Sequence, residues 1–530
     1  MKRIFTILTF LLLIVVALQA QNENNNWLFG KKVGLTWNTT QSFAGTGMWG
    51  TSNALLSEIP TNIPSSIFTS EGCFSISDAS GNLLFYSDGM TIWNKNNVPM
   101  LNGTGLTGHS SSAQSGIIIP YPNHPNLYIA FTLGYGNDDN LSYSVIDKTL
   151  DNGLGGVVSN KKNIRLTGYT GVLGESLTAI RHSNREDFWI VAAGRSTPAY
   201  LNVWKVDGNG VSQTPHQKIS TGLNIPSTTS PGGYIASSND GDKFVWCNYN
   251  GVVVDASAYT VFVFGTFDNT TGTITKLKSC STGNNYEFGC PYGAAFNKKG
   301  DYLYVTSLAG NTGSTGASKL YVYNFKSLMD ATGTNPLKSV SPVKAIVASP
   351  GGIPNNGINE HFGALGLAPN GYMYIVHTFS RNLYVITNPD DPANMKIYKL
   401  SNLIANGSTT VFGIPTAAAP WFRFQIVPPP EAVSCYSVST SYELRVYGGE
   451  GFKDLKYITL DFGDGKPDSK IKIQSPPVGS TFRNHTYDAI GEYTITIKAY
   501  DQYDKEMQGM ERKSEIKVRS CALPVNPHIH

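Results

Sequence analysis

Apolar and polar residues alternate at period two along most of the chain, in paired runs joined by short polar turns. Residues 292–307, YGAAFNKKGDYLYVTS, give the clearest case. An apolar run leads into a turn at Lys298-Lys299-Gly300-Asp301, and a second run then alternates Tyr302, Tyr304 and Thr306. β-Branched and aromatic residues at that period mark a half-buried antiparallel pair, with Gly300 supplying the turn. Variants recur at residues 73–88, 115–131, 177–192, 233–247 and 363–377. A further strand candidate follows each pair, at residues 91–94, 141–147, 201–206, 259–267, 319–324 and 383–388. Six such meanders of roughly 40 to 70 residues predict the radial blades of a β-propeller.

The two ends of this region complement each other. Residues 412–425, FGIPTAAAPWFRFQ, look like an inner strand with no meander after it, and residues 27–37, WLFGKKVGLTW, like strands with no inner partner before them. Pairing them predicts a seventh blade and a closed ring without exposed edges. Pro428-Pro429-Pro430 reads as a short stiff linker. Beyond it, alternating runs at residues 441–447, 456–462, 470–474, 491–500 and 514–518 predict a β-sandwich. The fold class is therefore all-β. The divisions are residues 1–20, 21–427 (propeller), 428–430 (linker), 431–521 (sandwich) and 522–530 (tail).

Composition sharpens this picture. Charged residues make up 15% of the 530 positions, and the formal net charge is +3 with no long basic run. Neither nucleic acid nor an anionic membrane surface is implied as a partner. Lys2 and Arg3, the apolar stretch at residues 4–18 and Ala20 together form a signal-peptide pattern. That stretch is shorter than the ~20 residues needed to span a bilayer, so an exported, soluble chain is expected. In an exported protein, Cys280 and Cys290 could close the short polar loop between them, and Cys435 and Cys521 could staple the last domain. Cys73 and Cys247 fall in strand-like runs and read as buried free thiols.

Candidate chemistry concentrates where the innermost strands begin. Glu71, Glu175, Glu287 and Glu360 each stand just ahead of such a strand, with His109, Gln114 and His361 in comparable positions. Loops entering the innermost strands converge on one mouth of a central channel. Clustered carboxylates there would take a cation or an amine. The alternative is that each glutamate accepts backbone N–H groups where two blades meet. Asp461 and Asp464, around Gly463, offer oxygen ligands for a structural calcium, or else simply complete a tight turn; no other cofactor is expected. Enzymatic readings find less support: Arg181, Arg185 and Arg195 fall in one blade, whereas a carboxylate-binding cluster would draw on several.

Two resemblances follow from specific residues. Leu460-Asp461-Phe462-Gly463-Asp464-Gly465, Asn484-His485-Thr486-Tyr487-Asp488 and Gly491-Glu492-Tyr493-Thr494-Ile495-Thr496-Ile497 resemble the polycystic kidney disease (PKD) domain, with Leu460 where that family usually has Trp. The resemblance implies an immunoglobulin-like sandwich acting as a spacer or binding module. Asn26-Trp27-Leu28-Phe29-Gly30, Glu71-Gly72-Cys73, residues 87–94 (SDGMTIWN), residues 111–115 (SSAQS) and residues 141–147 (LSYSVID) resemble the propellers of exported Bacteroidota proteins associated with gliding motility or type IX secretion. This implies a non-catalytic subunit of an outer-membrane-associated assembly, with protein partners at the cell envelope. A surface adhesin or carbohydrate-binding protein, and a propeller hydrolase or lyase, are the other classes considered. Such proteins often end in a sorting domain, whereas nine residues follow Cys521 here, so a periplasmic resident or a subunit held by a partner is expected.

Overall fold

The computed structural model describes residues 23–78, 80–184, 186–225, 231–239, 241–250, 261–281, 290–308, 318–333, 335–348 and 361–418 of a first compact unit. Of a second unit it describes residues 425–427, 432–447, 455–467, 469–472, 479–501, 504 and 512–520. The chain is all-β, and the longest helix among the described residues, Phe325–Asp330, has 6 residues. No helix among the described residues is long and apolar enough to cross a membrane. The signal-peptide pattern, the proline linker, Cys521 and the C-terminal tail lie outside the described residues.

Antiparallel meanders account for most of the first unit. Phe74–Ser77, Leu83–Ser87, Thr91–Asn94 and Pro99–Thr104 form the first. Gly116–Pro120, Leu127–Leu133 and Leu141–Asp147 form the second. Val172–Arg181, Phe188–Arg195 and Tyr200–Asp207 begin the third. The fourth comprises Ile235–Ser237, Lys243–Asn250, Val261–Asp268 and Thr273–Ser281. Cys290–Phe296, Tyr302–Leu308, Lys319–Asn324 and Lys344–Val347 make the fifth. Phe362–Leu367, Met373–His377, Leu383–Ile386 and Ile397–Leu400 make the sixth. In the fifth, the turn is held as its sequence dictates: Gly300 has φ 71°, and Asn297 Oδ1 accepts the Tyr302 amide at 2.9 Å.

The core lies between successive sheets. Phe74, Ile76 and Phe85 of the first meander pack with Ile118 and Ala130 of the second. Ile180 and Val191 of the third meet Ile235 and Trp246 of the fourth. Val245 and Phe264 meet Leu303 and Val305 of the fifth, and Tyr304 meets Phe362 and Ile375 of the sixth. Inner strands such as Phe74–Ser77 and Val172–Arg181 are buried on both faces, which accounts for their near-continuous apolar runs.

The terminal strands depart from the expected pairing. Asn26–Phe29 pairs with Val33–Met48, and the far end of that long strand, Thr46 to Met48, pairs with Ile397–Leu400 of the sixth meander. Residues 412–418 form no strand. The chain around them makes only isolated bridges, Lys31 to Thr409 and Cys73 to Pro415. Trp27 and Phe29 nonetheless pack in one cluster with Tyr374 and Val376 of the sixth meander and Cys73 and Tyr86 of the first, so the succession of packed sheets returns to its start. Val33–Met48 thus joins the N-terminal strands to the sixth meander by edge pairing, while residues 412–418 meet the N-terminal strands by isolated bridges and hydrophobic contact.

In the second unit, Gln425–Val427, Thr440–Tyr447 and Gly479–His485 make one sheet. Ala432–Cys435, Arg512–Arg519, Gly491–Asp501, Leu455–Asp461 and Ser469–Lys472 make another. Gln425–Val427, expected to finish the first domain, thus pairs inside the second. Tyr442, Leu460, Phe462, Tyr487, Ile495 and Ile516 share a core in this unit. Leu460 is fully buried where the resembled family usually has Trp, and Tyr487 reaches back to bond the Phe462 carbonyl at 3.1 Å.

The cysteines correct one expectation. Cys280 is a buried free thiol, not half of a bridge to Cys290. It sits opposite Phe262 in the fourth sheet and packs among Phe264, Leu303 and Tyr323, whereas Cys290 opens a strand of the fifth sheet opposite Leu308. Burial pushes its thiol up to about 11, keeping it protonated and unreactive. Cys73 and Cys247 are buried free thiols, as expected. Cys435 is disulfide-bonded, and its backbone pairs with Arg519, two residues before Cys521. Reduction should destabilise the second unit by about 2–5 kcal/mol while leaving protection of the first unit unchanged. Hydrogen exchange with and without reductant checks this, and equal loss in both units would contradict it.

Candidate functional site

Main-chain hydrogen bonds run out where the innermost strands begin, and side chains from neighbouring sheets complete them. Glu175, in Val172–Arg181 and 2% exposed, accepts the Ala113 amide on Oε2 at 3.0 Å and the Gly136 amide on Oε1 at 3.1 Å. Gln114, 1% exposed, accepts the Leu177 amide at 3.1 Å and the Ile235 amide at 2.8 Å on Oε1, while its Nε2 donates to the Ile235 carbonyl at 3.2 Å. One glutamine thus ties the second, third and fourth sheets together. Ser176 Oγ donates to the Gly233 carbonyl at 2.7 Å and accepts from Trp246 Nε1 at 3.2 Å.

Glu71 lies in the same region. Its amide donates to the Ser110 carbonyl at 3.2 Å, and the next amide, of Gly72, donates to the Ser112 carbonyl at 2.7 Å. A Cβ on Gly413 would fall 2.0 Å from the Glu71 carbonyl oxygen, so residues 412–414 press against it from the other side. Tyr292, 1% exposed, directs its hydroxyl toward the Glu71 carboxyl group. A hydrogen bond between that hydroxyl and the carboxyl group favours the charged form of Glu71 and offsets part of the effect of burial. Tyr234 stands beside Tyr292, with ring centroids 5.6 Å apart, and its hydroxyl donates to the Ile414 carbonyl at 3.3 Å.

The two glutamates have different electrostatic surroundings. Burial raises Glu175 to about 7 even though two amides and Arg195 favour its charged form. Arg195, fully buried, donates to the Gly136 carbonyl at 2.5 Å, and burial holds its guanidinium below the usual range. Glu71 retains some exposed surface, but the packing around its carboxyl group, and then the charge of Glu175, raises it to about 8. Burial lifts the Tyr292 hydroxyl far above its ordinary value, so it stays protonated.

The four expected glutamates are therefore half accounted for: Glu71 and Glu175 are within electrostatic reach of each other, while Glu287 and Glu360 lie outside the described residues. For Glu175, the amide-accepting alternative is the one observed. His109 stacks on Tyr135 with centroids 4.8 Å apart and accepts the Ser111 amide on Nδ1 at 3.1 Å. The His361 carbonyl accepts the Thr378 amide at 3.2 Å at the entry to the sixth meander. Tyr234, Tyr292 and Arg195 were not singled out as site residues in the sequence. The two tyrosines stand at near-equivalent offsets before the turns of successive hairpins, a repeat that would have marked them.

Beside Gln114 and Tyr234 lies a cavity of about 150 Å³, lined also by Thr178, Ala236, Phe296 and Ile414 among others. No acid or base is among its lining residues. In the second unit, Asp461 and Asp464 do not converge as cation ligands. Asp461 accepts the Gly463 amide at 2.7 Å, and Asp464 Oδ2 meets His485 Nε2 at 2.9 Å and Lys466 Nζ at 3.5 Å. The turn uses these carboxylates itself, and among the described residues no group of three or more His, Cys, Asp or Glu could hold a metal ion.

No family model matches the chain, and no curated protein matches it. Among solved structures, the Clostridium thermocellum CbhA fibronectin(III)-like modules match with 12% identity over 45% of this chain and 95% of that one, at a TM-score of 0.15. A GH43_1 enzyme from Xanthomonas citri matches with 9% identity over 56% and 95%, at 0.25. Kuenenia stuttgartiensis hydrazine synthase matches with 8% identity over 78% of this chain and 63% of that one, at 0.26. Likenesses this distant carry no argument about function.

Two outcomes test the site. Folded Glu71 holds its proton to about pH 8, whereas its ordinary value is 4.5, so the folded state binds the extra proton in between. Stability should therefore fall as pH rises from about 5 to about 8, and Glu71→Gln should flatten that fall; urea midpoints across the range would read it, and parallel curves would refute it. Gly72→Ala should cost about 1–3 kcal/mol or more, because its Cβ would lie 2.1 Å from the Ser115 amide nitrogen and 2.5 Å from the Ser112 carbonyl oxygen. Thermal unfolding of that variant at the wild-type temperature would contradict this.

Proposed function

We propose that this chain is an exported, non-catalytic binding protein, a seven-bladed β-propeller followed by a PKD-like sandwich, serving as a subunit of an outer-membrane-associated assembly in a Bacteroidota-type envelope. The six meanders are six blades. The Lys31–Thr409 bridge and the Trp27–Ile414 packing support a seventh, built by both ends of the propeller region. The observation that carries the non-catalytic role is the use of the central polar groups. Glu175 and Gln114 spend their acceptors on amides of neighbouring sheets, as groups that fix a scaffold do. A general acid or nucleophile instead needs an accessible reacting position beside it, and the adjoining cavity is lined by neutral side chains.

Rigid blades leave the loops at either rim free to recognise a partner. Gentle affinity purification of a tagged copy from native cells, with envelope fractions kept separate, should recover stoichiometric outer-membrane partners. Recovery of the chain alone from periplasm or medium would overturn the subunit reading, and glycan-binding and hydrolase assays would then separate the adhesin and enzyme classes.

A further inference from the structure

Small side chains open a space between the innermost strands of the first unit. Ala236, Ala295 and Gly366 stand at one repeated position, five residues ahead of the turn glycines Gly241, Gly300 and Gly371 of the fourth, fifth and sixth meanders. All three line the cavity of about 150 Å³ beside Gln114. Gly366 also makes room for Ile414 on another wall, whose Cδ1 would lie 2.5 Å from an added Cβ. Asn239 and Pro369, in the turns of the fourth and sixth meanders, are half-buried members of the lining, so solvent reaches the cavity from the turn end.

Most polar groups of this lining are engaged elsewhere. Tyr234 donates to the Ile414 carbonyl at 3.3 Å, Asn24 Oδ1 accepts Trp27 Nε1 at 3.1 Å, and Asn239 Nδ2 donates to the Lys298 carbonyl at 3.0 Å. Ser237 Oγ and Thr416 Oγ1 differ: both are buried and have no hydrogen-bond partner among the described residues. They come from different walls. Ser237 belongs to the inner strand of the fourth meander, whereas Thr416 lies in residues 412–418, held by its amide to the Cys73 carbonyl at 2.8 Å. Thr416 is 5% exposed.

We infer that this cavity is a binding site for one neutral, ring-sized molecule with a hydroxyl group, a simple phenol. A cavity of this volume accommodates a benzene-sized ring. None of its lining residues is Asp, Glu, Lys, Arg or His, so a charged ligand would be buried without a counter-charge. The ring would stand among Trp27, Tyr234 and Phe296 of the lining. A hydroxyl both donates and accepts, so it would pair with the Ser237 and Thr416 hydroxyls, each presented to the cavity by rotation about one side-chain bond. This site goes beyond the proposed subunit role and does not rest on it.

The test is fluorine NMR titration of the purified full chain at neutral pH with para-fluorophenol, run beside fluorobenzene and para-fluorobenzoate. Saturable binding of the phenol is expected, with fluorobenzene about fivefold weaker for want of a hydrogen bond and the benzoate not binding. Ala236→Leu fills the cavity and should abolish binding. Thr416→Val is the second variant: it keeps the side-chain shape and removes an unpaired buried hydroxyl, so the fold should be retained. That variant is expected to weaken the phenol about fivefold and leave fluorobenzene unchanged. Absence of saturable binding, equal affinity for all three compounds, undiminished binding by a folded Ala236→Leu, or equal loss of both neutral ligands in Thr416→Val would overturn the proposal.

Discussion

The first unit depends on satisfying main-chain amides where its innermost strands begin. There the strands are crowded and offer few ladder partners, and an amide left buried and unpaired would cost as much as a lost hydrogen bond. The chain meets this with side chains that cross between sheets. Gln114 serves the third and fourth sheets, Glu175 serves the second, and Thr306 donates to the Gly363 carbonyl of the sixth at 2.7 Å. On the other side, Ser75 donates to the Asn26 carbonyl at 2.7 Å, linking the first sheet to the N-terminal strands. Apolar packing between sheets supplies the bulk of the stabilisation, but it is non-directional. These bonds set where each inner strand begins.

The same crowding makes Glu71 unusual. Glu175 is compensated by two amides and a guanidinium, whereas Glu71 has the Tyr292 hydroxyl as its partner and feels the like charge of Glu175. The second unit shows the opposite economy. His485 stacks flat on Phe462 at 3.9 Å and bonds Asp464, which Lys466 also meets. Although burial opposes it, these partners hold Asp464 below the usual carboxylate range, and the turn is complete in itself.

The repeat of paired alternating runs was enough to locate the paired strands of the six meanders, because side-chain period and burial are coupled in every sheet and a turn glycine such as Gly300 readily takes the positive φ its turn requires. Buried thiols at Cys73 and Cys247 and the all-β class followed from the same pattern. Glu71, Glu175 and Gln114 were legible as residues at equivalent entry positions. Their partners were not, since Ala113, Gly136 and Ile235 contribute amides and every residue but proline has one. Cys280 and Cys290 looked pairable because only sequence separation is visible before folding; the sheets turn one of them into a hydrophobic interface. The long strand Val33–Met48 bridges two sheets for a related reason: alternation specifies which face is buried but not which edge a strand will join. Sequence alone therefore determined most of the strand segments and which of their faces are apolar, while tertiary structure decided which strands meet, left residues 412–418 without a ladder, and settled which charges are compensated, because those depend on contacts between residues far apart in the chain.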